Sequence, residues 1–324
     1  MTEDYHASST EFTPIPQAPK GFKSGFVGIV GRPNVGKSTL MNRLIGEKVA
    51  ITSPVAQTTR NRLQGVLTTP NAQIIFVDTP GIHKPHHLLG EVLVFNAQQV
   101  MNSVDLLLFI VDSTEPPGPG DQFIAEQLQQ TSVPVLIIAN KVDQRSPKRA
   151  LDLQQSYREL LEPYREPIPV SARTGKGMEK LLTAIGNRLP NGPYYYPPDY
   201  LTDQPERFIC AELIREQVLL LTEQEIPHSV AVVIESMKVR PAHTRKNSPM
   251  ITHIQAAIHV ERDSQKGILI GKEGRMLKEI GTQSRKRMEK LVDGSIFLEL
   301  FVKVNPRWRS SNQALKEFGY QKER

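Results

Sequence analysis

The run Gly31-Arg32-Pro33-Asn34-Val35-Gly36-Lys37-Ser38, with Thr39 behind it, has the spacing GxxxxGK[ST]. Glycines at these positions let backbone N–H groups turn inward on phosphate oxygens, Lys37 reaches the outer phosphates, and the Ser38 hydroxyl suits Mg²⁺. Further on, Asp78-Thr79-Pro80-Gly81 offers a carboxylate to face a metal and an unobstructed glycine amide to meet a γ-phosphate. Asn140-Lys141-Val142-Asp143 supplies base-reading chemistry. The Asp143 carboxylate accepts from both the ring N–H and the exocyclic amine of guanine, a donor pair that adenine lacks. Ser171-Ala172 adds a backbone amide for the guanine carbonyl oxygen. Each motif alone reads as an ordinary turn. Four in this order, each after an apolar run, point to a guanine-nucleotide site.

Those apolar runs, at 26–30, 74–77, 106–111, 135–139 and 168–170, read as buried strands. Helical spacing at 37–46, 119–131, 147–162 and 176–189 falls between several of them, which predicts βαβ units, a mostly parallel sheet and an α/β layer fold. Prolines crowd the stretch after Leu189 and break helix and strand alike, so residues 190–205 read as a domain boundary. Beyond it the pattern predicts a helix near 205–222, strands near 228–238 and 251–261, a glycine-punctuated turn, a helix to about 292 and a strand near 295–304. That order suits a smaller α+β unit on an antiparallel or mixed sheet. The expected division is an unstructured tail at 1–24, a nucleotide domain at 25–190, a linker at 191–205, a second domain at 206–310 and a tail at 311–324.

The chain has 324 residues, 39% hydrophobic and 23% charged, which is globular usage over about two domains. No apolar run reaches the ~18–20 residues needed to cross a bilayer, and residues 1–20 lack the form of a secretory signal. A cytoplasmic chain is expected. One cysteine, Cys210, allows no internal disulfide and sits among apolar neighbours as a small hydrophobe. Positive charge is concentrated: residues 262–309 hold 12 Lys and Arg against 6 Asp and Glu, an excess equal to the whole chain's +6. Such a stretch is either a polyanion-binding surface or a solvated helix face. Within it, Ile270-Gly271-Lys272-Glu273-Gly274-Arg275 is a GxxG loop entering an amphipathic helix. Its glycines permit close approach of a sugar-phosphate backbone, Lys272, Arg275 and Lys278 add cations, and Arg285-Lys286-Arg287 extends a phosphate track.

Residues 25–190 resemble translation-factor-type GTPase domains, on GRPNVGKS, DTPG, NKVD and SA. The second domain is similar to KH modules of the bacterial kind, on its element order and GxxG loop. Together, with the QTTR, IGKEG, KEIG and KVNPRW…ALKEFGY stretches, the chain resembles the Era family of ribosome-assembly GTPases from Gly25 onward. The resemblance implies a phosphate-loop GTPase fold followed by a KH domain, and hydrolysis of GTP to GDP and phosphate with Lys37, Thr59 and Gly81 in catalytic roles. It implies nucleotide contacts from residues 31–39 and 78–81, from Asn140, Lys141 and Asp143, and from Ser171 and Ala172. Mg²⁺ would fall to Ser38, Asp78 and Thr59, with Thr58 as the alternative, in a first switch at 53–62. Relatives sharing GxPNxGKS imply K⁺ at Asn34. The partners implied are the 3′ end of 16S ribosomal RNA, bound through Ile270, Gly271, Lys272, Gly274, Arg275, Lys278, Arg285, Lys286 and Arg287, and the 30S subunit, with peripheral attachment to the inner membrane. A monomer is expected. One departure matters: GTPases that use a switch-two glutamine carry it after DxxG, where this chain has Ile82. Histidines 83, 86 and 87 read as loop residues rather than metal ligands. An RNA-docking module with incidental catalysis, and a membrane-surface signalling GTPase, remain open alternatives.

Overall fold

The computed structural model describes residues 15–53, 58–82, 87–146, 150–160, 166–242, 249–292 and 294–322. Positions 54–57 of the first switch, His83, His86 and most of the N-terminal tail lie outside them. The first domain alternates β1 (Lys23–Val30), α1 (Lys37–Ile45), β2 (Leu63–Thr69), β3 (Ala72–Asp78), α2 (Leu88–Ser103), β4 (Leu106–Asp112), α3 (Pro119–Leu128), β5 (Val135–Asn140), α4 (Ala150–Leu160), β6 (Ile168–Pro169) and α5 (Met178–Gly186). Its sheet runs β2-β3-β1-β4-β5-β6, parallel except for β2. β4 is buried at every position, which is why it reads as a continuous apolar run rather than an alternation. Strand order reverses on either side of β1, so the loop leaving β1 opens at a topological switch point, where α/β sheets bind ligands.

The second domain holds α6 (Glu206–Leu221), α7 (Ile226–Ser229), β7 (Ala231–Pro241), β8 (Met250–Val260), α8 (Asp263–Ile270), α9 (Arg275–Leu291) and β9 (Ile296–Val304). β7 pairs antiparallel with β8, and β8 parallel with β9. Its own core gathers Cys210, Ile214, Val218, Ile254, Ile258, Leu269, Ile280 and Met288.

Five features differ from the sequence expectation, the first being α8, which forms where only a glycine-punctuated turn was expected. β2 was not expected; it is a short antiparallel strand whose Gly65 lets the backbone pass Ile45. α2 was not expected either, because it is buried on two flanks and so lacks a clean polar face: Ala97, Val100 and Met101 meet the sheet, while Leu89, Val92 and Leu93 meet the chain's C-terminal segment. That segment, expected as a tail, contains α10 (Asn312–Glu317), and Leu315, Phe318 and Tyr320 pack with Trp308 against α2. At the other end, Lys23 and Ser24, expected in the N-terminal tail, already belong to β1, and Phe22 is buried beside Tyr194.

Residues 191–205 carry no helix or strand, only isolated bridges, yet they are strapped to the first domain. The Gln73 side chain accepts from the Tyr195 and Tyr196 amides (2.7 and 3.0 Å) and donates to the Tyr196 carbonyl (2.9 Å). Val66 N donates to Leu201 O (2.8 Å), extending the edge of β2. Leu315→Ala should cost about 2–4 kcal/mol, because it opens a cavity beneath α2. Denaturant unfolding checks this, and an unchanged midpoint would mean that the C-terminal segment carries no packing energy.

Candidate functional site

The loop after β1 is shaped by backbone conformations that few side chains permit. Gly36 has φ +100°, and a Cβ there would stand 2.4 Å from the Asn140 amide nitrogen. Asn34 is left-handed at φ 65°. Lys37 opens α1 and is buried, its Nζ donating to the carbonyls of Gly31 and Arg32 (both 3.1 Å). Burial pushes its ammonium down to about 8 against the attraction of Asp78. Gly81 lies so close to Pro33 that a Cβ would fall 2.9 Å from its ring nitrogen. Pro33, Asn34, Gly36, Lys37, Ser38, Thr39, Thr58, Thr59 and Gly81 line one pocket.

At the end of β3, Asp78 is wholly buried. Its Oδ2 accepts from Ser38 Oγ (2.6 Å) and Thr59 Oγ1 (3.0 Å), and those two hydroxyls are 2.9 Å apart. Burial raises the Asp78 carboxyl, opposed by Lys37 and the hydrogen bonds from Ser38 and Thr59. Its Oδ1 has no hydrogen-bond partner among the described residues. Three hard oxygen ligands from three segments, with a spare buried carboxylate oxygen, fit the needs of Mg²⁺. Thr59, rather than Thr58, reaches this cluster. Thr58 turns its hydroxyl to Ser53 O (3.4 Å).

The base-reading residues form a second cluster at the ends of β5 and β6. Asn140 clips the site together: Nδ2 donates to Val35 O (2.8 Å) and Oδ1 accepts from Ala172 N (2.9 Å). The Ala172 amide, expected to meet the base carbonyl, is thus already engaged by Asn140. Asp143 accepts from Ser171 Oγ (2.6 Å) and the Arg173 guanidinium (2.5 Å), which hold its carboxyl below the usual range. Lys141, left-handed at φ 66°, pairs with Asp112 (2.6 Å). Arg43, which no motif singled out, donates to the carbonyls of Ala172 (3.1 Å) and Arg173 (2.5 Å) and so fixes the base loop. Arg32 turns away from the site: its side chain pairs with Glu115 and with buried Asp121 (3.2 Å), leaving only its backbone to the loop. His87 caps α2, its Nδ1 accepting from Gly90 N (3.0 Å). Among the described residues no group of three His, Cys, Asp or Glu side chains could hold a metal.

In the second domain, Gly271 (φ +70°) and Gly274 (φ +76°) bracket the turn that enters α9. An open groove follows, lined by Gly274, Lys278 and Arg285, and also by Leu277, Gly281, Thr282, Phe297, Leu298 and Leu300. The second group was missed; its helical members recur at the spacing of one face of α9, and of its strand members Leu298 and Leu300 also pack partly against the domain core while Phe297 does not. Phe297 is half exposed, a ring on which a base can stack. Six of the nine expected RNA residues do not line the groove: Gly271, Lys272 and Arg275, the last paired with Glu273 (3.0 Å), lie in or beside the turn. Ile270 packs against the domain core instead of the groove. Lys286 is exposed but does not line the groove. Arg287 points to the opposite flank of α9, where it pairs with Glu216.

Asp143→Asn should weaken GTP at least about 100-fold, since two charge-assisted hydrogen bonds are each worth roughly 1.5–3 kcal/mol. Affinity for xanthosine triphosphate should rise in exchange. Isothermal titration of both nucleotides checks this, and unchanged GTP affinity would displace Asp143 from the base.

A family model described as 50S ribosome-binding GTPase matches residues 26–141, and a KH-domain model matches residues 225–309. GTPase Era of Rippkaea orientalis is 58% identical over 322 residues, 99% of this chain and 99% of that one. GTPase Era of Synechocystis sp. is 59% identical over 310 residues, 95% of this chain and 96% of that one. Two solved structures each cover 92% of this chain and 99% of their own, with TM-scores of 0.87. One is a variant of Aquifex aeolicus Era bound to GDP·AlF4⁻, 40% identical. The other is Era in complex with MgGDPNP and nucleotides 1506–1542 of 16S ribosomal RNA, 41% identical. At this identity over nearly its full length, the chain belongs to the Era family of GTPases.

Proposed function

We propose that this GTPase is a Mg²⁺-dependent switch that hydrolyses GTP and, through its KH groove, holds the 3′ end of 16S ribosomal RNA to assist 30S assembly and RNA maturation. The observation that carries the reading is full-length likeness to Era held with both ligands at once. One family model is described by the large subunit. It spans the nucleotide domain alone, so the full-length relative is the better guide to the RNA.

Phosphoryl transfer asks chiefly for positioning and charge stabilisation. The loop amides and Lys37 supply these on the phosphate side. Gly81, pressed against Pro33, brings its amide to the same pocket. Bound at Ser38, Thr59 and Asp78, Mg²⁺ would neutralise charge on the outer phosphates. Asp143, held ionised, selects guanine. Ile82 is 1% exposed and sits in the core, so it orients no water. Asn34, left-handed among the residues that line the pocket, would hold K⁺ against the phosphates, and turnover should be several-fold faster in K⁺ than in Na⁺. Equal steady-state rates in the two salts would remove the K⁺ role.

The chain would act as a cytoplasmic monomer. Its basic second domain would favour secondary contact with anionic lipid at the inner membrane, which vesicle flotation tests. No helix among the described residues is long and apolar enough to cross a membrane.

The test of the switch is the affinity for a single-stranded RNA copying the small-subunit 3′ terminus, at one salt concentration, with GTP analogue, with GDP and with neither. Tighter binding with the analogue is expected, and linkage then requires RNA to favour the analogue in return. Equal affinity in all three would separate the two sites. Gly274→Asp should weaken RNA at least tenfold by placing a negative side chain at the backbone clamp. Unchanged affinity would move the RNA elsewhere.

A further inference from the structure

Thr59 belongs to the nucleotide domain, but both of its neighbours are held by the other domain. Before it, the Thr58 carbonyl accepts from Nη2 of Arg215, on α6. After it, the Arg60 guanidinium crosses into the second domain and donates to the carbonyls of Val230 (2.5 Å), Pro227 (3.2 Å) and His228 (3.2 Å) around α7. Both arginines are buried, at 2% exposure for Arg60 and 0% for Arg215. Arg60 also lies over the rings of Trp308 and Tyr320, with its Cζ 5.7 and 5.9 Å from their centroids.

Arg215 is itself fixed. Glu212 accepts from its Nε (2.7 Å) and Nη2 (2.5 Å), and that carboxylate keeps the guanidinium fully charged although burial alone would lower it. The next residue, Glu216, holds the chain just before the same switch: its carboxylate accepts from Thr52 N (2.8 Å) and from Lys48 Nζ (2.8 Å). One turn of α6 therefore grips the entry to the first switch at Thr52 and its interior at Thr58.

We propose that Arg215 and Arg60 are positioning residues for GTP hydrolysis: the second domain, not the switch itself, sets the place of Thr59 beside Ser38 and Asp78. The physical case rests on what each contact restrains. A hydroxyl ligand is useful only if its backbone stands within a few tenths of an ångström of the required place. The switch has no strand or helix at 58–60 to provide that precision. Two buried, charge-assisted anchors on the residues that flank Thr59 supply it instead. The same turn of α6 reaches the RNA-facing helix, because Glu216 also pairs with Arg287 on α9. Helix α9 and the residue before Thr59 are thereby both held by adjacent residues of α6, Glu216 and Arg215.

This inference rests on the proposed GTP hydrolysis, so wild-type turnover and its loss in Lys37→Ala are measured first: no turnover in wild type would sink both, whereas wild-type turnover that persists unchanged in the variants below would sink this one alone. Arg215→Met in the full chain should leave GDP affinity within about twofold, since GDP needs no γ-phosphate ligand from the switch. It should lower kcat at least tenfold and raise the Mg²⁺ concentration for half-maximal turnover. The decisive comparison is with Thr59→Ala: if Arg215 acts through Thr59, the double variant turns over no more slowly than Thr59→Ala alone. Because Arg215→Met leaves Glu212 without its partner, the charge-balanced pair Glu212→Gln with Arg215→Met is made alongside it, and Arg60→Met provides an independent arm. Unchanged kcat and Mg²⁺ dependence in these variants, or losses that multiply with that of Thr59→Ala, would overturn the proposal.

Discussion

The Asp78 carboxylate is the group to which the nucleotide domain is referenced. A carboxylate taken wholly out of water costs several kcal/mol unless charge and hydrogen bonds compensate it. Asp78 obtains both from three directions: Lys37 and Ser38 from the start of α1, and Thr59 from the first switch. Its own place is set by the sheet, where β3 pairs with β1 so that Asp78 stands beside Ile29, and the neighbouring Thr79 hydroxyl donates to the Ile29 carbonyl (2.8 Å). A slip of one residue between these strands would turn the carboxylate to the other face. Loop, helix start and switch therefore converge because one buried charge requires them all.

The second domain is not suspended from a flexible tether. The linker is bonded along β2 and β3 as far as Thr202, whose hydroxyl donates to Gln64 O (2.7 Å). The C-terminal segment meanwhile returns to α2, where Asn96 donates to Gln321 O (2.8 Å). Between these attachments Arg60 is inserted among carbonyls and aromatic rings. Withdrawing it would leave several desolvated polar groups without partners until water reached them. Contacts of that kind are made or broken together, so the docked arrangement is a discrete state rather than one point in a continuum.

Legibility in the sequence followed chemistry more closely than architecture. The phosphate loop, DTPG, NKVD and SA were readable because each demands particular residue types at fixed spacing, and the structure gathers them at the ends of β1, β3, β5 and β6. Runs buried on both faces, such as β4, were equally plain. α2 was not, because burial against two different partners erased the polar face by which a helix is recognised. The C-terminal segment was hidden for a related reason: Trp308, Leu315, Phe318 and Tyr320 are spaced for an irregular turn and a short helix, and only the distant Leu89 and Leu93 explain their apolarity. Arg60 stood inside a motif whose threonine took all the attention, and nothing in one sequence says that a polar switch residue will be buried in another domain.

The basic stretch shows how far a count of charge can go. The excess between residues 262 and 309 is real, but many of those cations have acidic partners: Arg287 with Glu216, Arg309 with Glu261, Lys303 with Glu235, Arg275 with Glu273 and, at 3.8 Å, Arg285 with Glu289. Helical geometry separates the faces of α9. On α9, Gly274, Lys278, Gly281, Thr282 and Arg285 share the groove face, Ile280, Ser284 and Met288 face the core, and Arg287 falls on the remaining flank. Three consecutive basic residues in sequence thus serve groove, solvent and a contact with α6 of the same domain in turn. Within the groove a polyanion meets the positive charge of Lys278 and Arg285 on one face of α9, beside an exposed aromatic ring and apolar strand residues. A surface of that composition suits single-stranded bases and their backbone better than a duplex, whose bases are already stacked and paired.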